Sequence, residues 1–92
     1  MSNERKKISV AMATYNGEKY IRQQLESILE NLNEDDEIII SDDISTDSTV
    51  SIIRELNDDR IKVYKGPSLG VKQNFANAIK YCTGDYIFLA DQ

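Results

Sequence analysis

The sequence predicts an α/β protein built on an open parallel sheet, with the element order β-α-β-α-β-α-β. Two observations carry this. Short β-prone apolar runs alternate with stretches whose apolar residues recur at helical spacing, and the breaks between them are short and polar. Strands that alternate with helices pair in parallel through right-handed crossovers. At 92 residues the chain is one small domain or part of a larger one.

Ile8 to Thr14, ISVAMAT, is flanked by charge and by Asn16-Gly17 and reads as a buried strand. From Glu18 to Leu32 the period changes. Ile21, Leu25, Ile28, Leu29 and Leu32 fall on one helical stripe. After the polar break that runs to Glu37, Glu37 to Ser41 reads as a second strand. Its three consecutive isoleucines fit a strand covered on both faces. Asp42 to Ser48 is a polar loop, in which Ser45, Thr46 or Asp47 can cap the next helix. That helix carries Thr49, Ile52, Ile53 and Leu56 on one side and ends at Asn57-Asp58-Asp59. Ile61 to Lys65 is the third strand, and Gly66-Pro67-Ser68 is a turn. The third helix starts near Gly70, carries Val71, Phe75, Ala78, Ile79 and Cys82 as its stripe, and is expected to use Gly84 as its C-cap. Tyr86 to Ala90 is the fourth strand. The sequence stops two residues later, at the edge where open α/β sheets bind ligands. An incomplete domain, whose last strands lie beyond Gln92, is the expectation.

Composition narrows the chemistry. No histidine is present, so no imidazole serves as base or metal ligand, and the single Cys82 excludes an internal disulfide or a CxxC zinc site. The net charge of −5 argues against nucleic-acid binding. An acidic chain that binds a phosphorylated ligand needs a metal ion or local donors. The polar start from Met1 to Lys7 is not followed by a signal-type apolar region, and no run is long enough to span a membrane. A cytoplasmic location is expected.

Three polar clusters fall at predicted strand ends: Thr14-Tyr15-Asn16, Asp42-Asp43 and Asp91. In a parallel sheet these ends share one edge, so the clusters can converge. Asp42 also reads as a turn or capping residue. Asp43 leans towards function, because adjacent carboxylates at a ligand edge repel each other. Tyr15, in a Tyr-Asn-Gly turn, is a candidate stacking surface. Other motifs fail. Gly66 to Lys72, GPSLGVK, lacks the spacing and the hydroxyl of a phosphate loop, although the helix start near Lys72 can attract an anion. Asp43 to Asp47 lacks the glycine and the final glutamate of a calcium loop. No GxGxxG is present.

The ordered set SVAMATYNGEKYIRQQLESIL, IIISDDISTDST and GVKQNFANAIKYCTGDYIFLADQ resembles the inverting family-two glycosyltransferases, from about Ile8 to Gln92. The resemblance implies the N-terminal half of a GT-A fold, a Rossmann-like nucleotide-binding portion of a longer domain, with a nucleotide-sugar donor. It implies that Tyr15 stacks on the base and that Asp43 accepts a base N–H, usually that of uracil. Thr14 and Asn16 would shape the same pocket, with Asp42 beside them. Lys72 and Asn74 would approach the nucleotide, and Asp91 would be the first acid of a DxD motif at the metal. Ala13 and Ile44 depart from the family's usual proline and small residue. The second acid of the motif would be residue 93, and the catalytic base and acceptor half also lie beyond Gln92.

Inverting transfer needs a carboxylate that deprotonates the acceptor hydroxyl, typically worth about 10²–10⁴-fold. It also uses a divalent cation, Mn²⁺ or Mg²⁺, at the leaving diphosphate. No catalytic residue is therefore assigned within this chain, and activity of the chain alone is not expected. The implied partners are the donor and a saccharide, lipid-linked or protein acceptor, with self-association of the chain as a further expectation. Peripheral attachment at the inner membrane face through regions beyond Gln92 is the corresponding expectation for location. The competing reading is a receiver-type signalling module, which binds Mg²⁺ through clustered acids. Receivers carry their acid pair after the first strand and an Asp after the third, and this sequence has neither.

Overall fold

The computed structural model describes residues 6–90. Seven elements follow in the expected order: β1 (Ile8–Thr14), α1 (Ile21–Leu29), β2 (Glu37–Asp42), α2 (Thr49–Glu55), β3 (Ile61–Lys65), α3 (Val71–Lys80) and β4 (Tyr86–Ala90). All strand pairs are parallel, in the spatial order β3-β2-β1-β4. A receiver-type sheet sets its third strand beside the first. Here the third strand is at the edge and the fourth pairs with the first, which rules that reading out.

The register separates two cores. Val10 and Met12 of β1 lie beside Ile38 and Ile40 of β2, and this face packs on Ile21 and Leu25 of α1 and Ile53 of α2. The opposite face presents Ala11 and Ile39 to Ala78 of α3. The isoleucine run is buried throughout because helices cover both sides, and truncating one of these side chains to alanine costs about 2–5 kcal/mol. Small residues on the α3 face let that helix lie close to the sheet.

Helix α1 is shorter than its apolar stripe. The Gly17 and Glu18 amides donate to Thr49 Oγ1 (2.8 Å) and Asp47 Oδ2 (3.2 Å), so these residues join the next loop instead of a first helical turn. At the other end Asn31 and Leu32 close three-residue turns onto Ile28 and Leu29. Arg60, just before β3, donates to the Leu29 and Leu32 carbonyls and holds Asp58 with its other nitrogens. The C-terminus of α1 is thus capped by a side chain about thirty residues away. For α2, Asp47 is the capping side chain, accepting from the Thr49 amide at 2.9 Å and from its hydroxyl.

Gly84 is not the α3 C-cap, a position held by Tyr81. Its role is close approach: a Cβ there would lie 2.6 Å from Ser9 Oγ and 2.9 Å from the Lys7 carbonyl. This N-terminal sheet edge is organised by the buried Glu37. Its Oε2 accepts from Ser9 Oγ (2.6 Å) and from the Thr83 amide (2.7 Å), and Lys7 Nζ stands 3.6 Å from Oε1. Burial pushes the Glu37 carboxyl up, but the Ser9 and Thr83 hydrogen bonds and the Lys7 charge together hold it below the ordinary glutamate value. In β4, Tyr86, Ile87, Phe88 and Leu89 are exposed. No helix among the described residues is long and apolar enough to cross a membrane.

Candidate functional site

At the C-terminal sheet edge the β1–α1, β2–α2 and β3–α3 loops meet. Residues with left-handed backbone gather here: Asn16 (φ 50°), Ile44 (57°), Ser68 (59°) and Gly70 (100°). Side chains pay a conformational cost in that region, and such residues cluster at functional sites. The edge also contains the topological switch point, since β2 lies on one side of β1 and β4 on the other.

A cleft of about 310 Å³ opens between the ends of β1 and β2 and the start of α3. Ala13, Thr14 and Tyr15 form one wall, Asp43 another, and Val71, Asn74 and Phe75 of α3 a third. Tyr15 is 57% exposed, a large ring offered at the cleft mouth. Asp43 is half-buried. Its Oδ1 accepts from the Ser68 amide at 2.8 Å, and its Oδ2 takes no hydrogen bond from the described residues. The pair therefore offers an aromatic face and an available carboxylate oxygen in one cleft.

The other expected residues build that cleft. Parallel register sets Thr14 beside Asp42, and the Thr14 hydroxyl donates to Asp42 Oδ1 at 2.6 Å. Ser45 donates to both Asp42 oxygens, through its hydroxyl (2.6 Å) and its amide (2.9 Å). The buried Asp42 is thereby committed to holding the turn. Asn16 Oδ1 accepts from the Thr46 amide at 2.8 Å, tying the first loop to the second. Asn74 is buried at the start of α3. It accepts from Ser41 Oγ (2.6 Å) and donates to the Thr14 carbonyl (3.3 Å), which fixes α3 to the sheet. Lys72 is exposed on the first turn of α3 and does not line the cleft. Asp91 lies outside the described residues.

Two contributors are absent from the sequence-based set. Ser41 breaks an aliphatic strand, and its hydroxyl links Asn74 to Asn77, which donates to it at 2.9 Å. A hydroxyl in a run of isoleucines was the available signal. Gly66 has no Cβ because one would fall well inside 3.0 Å of both Asp43 Oδ1 and Asn74 Oδ1. Only the turn propensity of Gly66 is visible in one dimension.

The described residues do not make a cation cage. Asp42 spends both oxygens on Thr14 and Ser45, and no group of three acidic or thiol ligands forms among the described residues. A larger hollow, about 580 Å³, lies at the other end of the sheet beside Asp58 and Arg60. There Arg60 is already engaged by Asp58 and two carbonyls, so the hollow offers little unpaired chemistry.

The model of the family described as glycosyl transferase family 2 matches residues 9–92. The chain belongs to that family. This family 2 glycosyl transferase chain is 42% identical, over 89 residues, to the dTDP-rhamnosyl transferase RfbG of Shigella flexneri, covering 88% of this chain and 31% of that protein. It is 33% identical to a GalNAc(5)-diNAcBac-PP-undecaprenol beta-1,3-glucosyltransferase of Campylobacter jejuni, covering 92% and 29%. The chain thus spans about a third of the length of these curated relatives. Its fold matches the mannosyltransferase PcManGT from Pyrobaculum calidifontis, in complex with GDP-Man and Mn²⁺, with a TM-score of 0.86 at 25% identity over 97% of this chain and 28% of that one. S. aureus TarS 1-349 gives 0.83 at 31% identity, over 92% and 27%. The expected GT-A architecture is therefore the one this glycosyl transferase chain adopts.

Proposed function

We propose that this chain is the donor-nucleotide segment of an inverting glycosyltransferase that moves a sugar from a nucleotide diphosphate to a saccharide, lipid-linked or protein acceptor. The observation that carries the proposal is the placement of the Tyr15 ring and the available Asp43 oxygen in one cleft at the switch point. A carboxylate in the plane of a base accepts a ring N–H, and an aromatic face stacks on the base. Uracil and thymine share the same imide N–H, and guanine also carries a ring N–H. The dTDP in the name of the Shigella relative and the GDP-Man bound to the Pyrobaculum enzyme agree with this requirement. UDP is the first donor to test.

Thr14, Asn16, Asp42 and Asn74 hold the cleft in shape, and Lys72 stands at its approach on α3. A divalent cation belongs to the same reading. Its ligands would be Asp91 and acids beyond Gln92, since the described carboxylates do not enclose one. The cation would neutralise the leaving diphosphate. The general base is likewise assigned to residues beyond this chain, so the chain by itself turns over no donor.

Calorimetric titration with UDP, on the protein extended past Gln92, tests the assignment. An N–H donated to an ionised acceptor is worth about 1.5–3 kcal/mol, so Asp43→Asn weakens UDP about tenfold or more. Tyr15→Ala weakens all nucleotides, since stacking is worth roughly 1–3 kcal/mol per base. Adenine nucleotides bind poorly to the unaltered protein. Unchanged UDP affinity in Asp43→Asn overturns the assignment and leaves Asp43 as a partner of the Ser68 amide alone.

A further inference from the structure

The turn that carries Asp43 has a second side. Behind it, between α2 and the end of β3, lies a separate hollow of about 280 Å³. Arg54 of α2 and Lys65 of β3 both line it, and neither side chain has an ion-pair or hydrogen-bond partner among the described residues. Both are exposed and, like Lys19 and Lys72, have no carboxylate within 4.0 Å among the described residues, whereas Lys7, Arg22, Arg60 and Lys62 each have one; what sets Arg54 and Lys65 apart is that they share one hollow. The chain carries a net charge of −5, so carboxylates are abundant. Asp42 borders the same hollow, but both its oxygens are satisfied by Thr14 and Ser45. Ser45, bonded to Asp42, also lines it; Ile44, Val50 and Val63 supply apolar surface, and the Tyr64 ring is stacked on Tyr81.

Ile44 supplies an independent observation. It is a β-branched residue at φ 57° and is 49% exposed. Side chains branched at Cβ strongly disfavour that backbone, and glycine or asparagine fits it with less strain. Burial does not account for the isoleucine, since half of its surface faces solvent. Its side chain completes the apolar rim of the hollow.

We propose that this hollow is a second ligand site, which takes a phosphate carried on an apolar body. Arg54 and Lys65 neutralise the phosphate, the guanidinium by its forked donors, while Ile44, Val50 and Val63 accept the apolar part. A phosphorylated small molecule and an anionic lipid headgroup present the same chemistry. The site is distinct from the donor cleft, since the Asp42–Ser45 turn stands between the two.

The test uses phenyl phosphate and inorganic phosphate as probes, followed by amide chemical shifts on the protein extended past Gln92. Saturable shifts at Ile44, Ser45 and Lys65 are expected, with phenyl phosphate binding more tightly than inorganic phosphate. The double variant Arg54→Gln/Lys65→Gln weakens phenyl phosphate about tenfold or more, as expected for loss of charge-assisted donors. Ile44→Asn, which keeps the left-handed backbone, abolishes the preference for phenyl phosphate over inorganic phosphate. Co-sedimentation with phosphatidylglycerol vesicles, against phosphatidylcholine alone, separates the sources. Vesicle binding that requires Arg54 and Lys65 assigns the phosphate to a lipid headgroup, and probe binding without it assigns a soluble ligand. Shifts confined to Gly70 and Val71, or equal binding by the double variant with neither vesicle nor probe dependence on these residues, overturn the proposal. Asp43→Asn leaves all of these responses in place, so failure of the donor assignment and of this one are read separately.

Discussion

Replacing Gly66 by alanine tests whether the proposed donor cleft depends on a close approach that no side chain survives. Gly66 is outside the left-handed region, so alanine meets no backbone penalty there. The whole effect is steric. The new methyl group falls well inside 3.0 Å of Asp43 Oδ1 and Asn74 Oδ1 and 3.1 Å from the Asp42 carbonyl. The carbonyl is fixed by the Gly66 amide at 2.7 Å, so the two side chains must move. Moving Asn74 disturbs its bonds to Ser41 and Thr14, and moving Asp43 disturbs the Ser68 bond. Overpacking of this kind costs typically about 1–3 kcal/mol. A loss of about 2 kcal/mol lowers Tm by roughly 8–16 °C in a domain of this size. Thermal unfolding by circular dichroism measures the first effect, and UDP calorimetry on the longer protein measures displacement of Asp43. Gly70→Ala is the control. Its Cβ would meet nothing within 4 Å, but φ 100° and ψ 172° belong to a region essentially reserved for glycine, so it loses about 1–3 kcal/mol of backbone energy without displacing Asp43. Unchanged Tm in Gly66→Ala, or a UDP affinity that Gly66→Ala lowers no more than Gly70→Ala does, would refute the argument.

Three further outcomes follow from the structure. Glu37→Gln destabilises the fold by about 2 kcal/mol at neutral pH, because hydrogen bonds to a buried charge are lost. Since the folded Glu37 carboxyl titrates below the ordinary glutamate value, its contribution is fully present above that ordinary value and fades as pH falls through the lower folded one. The difference in urea midpoint between the two proteins should therefore shrink only in acid. Ile44→Asn raises stability by about 1 kcal/mol by relieving a strained backbone, seen as a higher urea midpoint at unchanged slope. The exposed apolar residues of β4 predict concentration-dependent self-association of the 92-residue chain. Light scattering should show a monomer once Phe88→Lys and Leu89→Glu are introduced together, and a strict monomer without them would dismiss the idea.

The bounds of β1, β3 and β4 were legible to the residue, because each is an apolar run closed by charge or glycine. The length of α1 was not. Its stripe runs on to Leu32, past the last helical turn, and at the other end Gly17 and Glu18 are held by Thr49 and Asp47 on another loop. The same limit governs the site. Tyr15 and Asp43 could be placed at one edge from strand order alone, and the structure sets both in the cleft. The commitment of Asp42 to Thr14 and Ser45 depends on the β1–β2 register, which sequence spacing does not contain. Gly66 is illegible for a stronger reason. Its need for no side chain is created by Asp43 and Asn74, which come near only once the sheet and α3 have assembled.

The bonds between the first two loops bear on the kinetics of recognition. Asn16 and Gly17 donate their amides to Ser45 and Thr49, the Asn16 side chain receives the Thr46 amide, and Glu18 receives that of Ser48. Each loop is the other's scaffold, without any contribution from a nucleotide. Ordering such segments costs about 1–2 kcal/mol per residue in lost backbone freedom, and here that loss is incurred during folding. Little of it is left to subtract from nucleotide affinity. The amides of Asn16, Gly17, Thr46 and Ser48 should exchange with solvent slowly, and under the proposed donor assignment a nucleotide should meet the Tyr15 and Asp43 loops as preformed surface, with encounter limited by diffusion and orientation instead of loop closure.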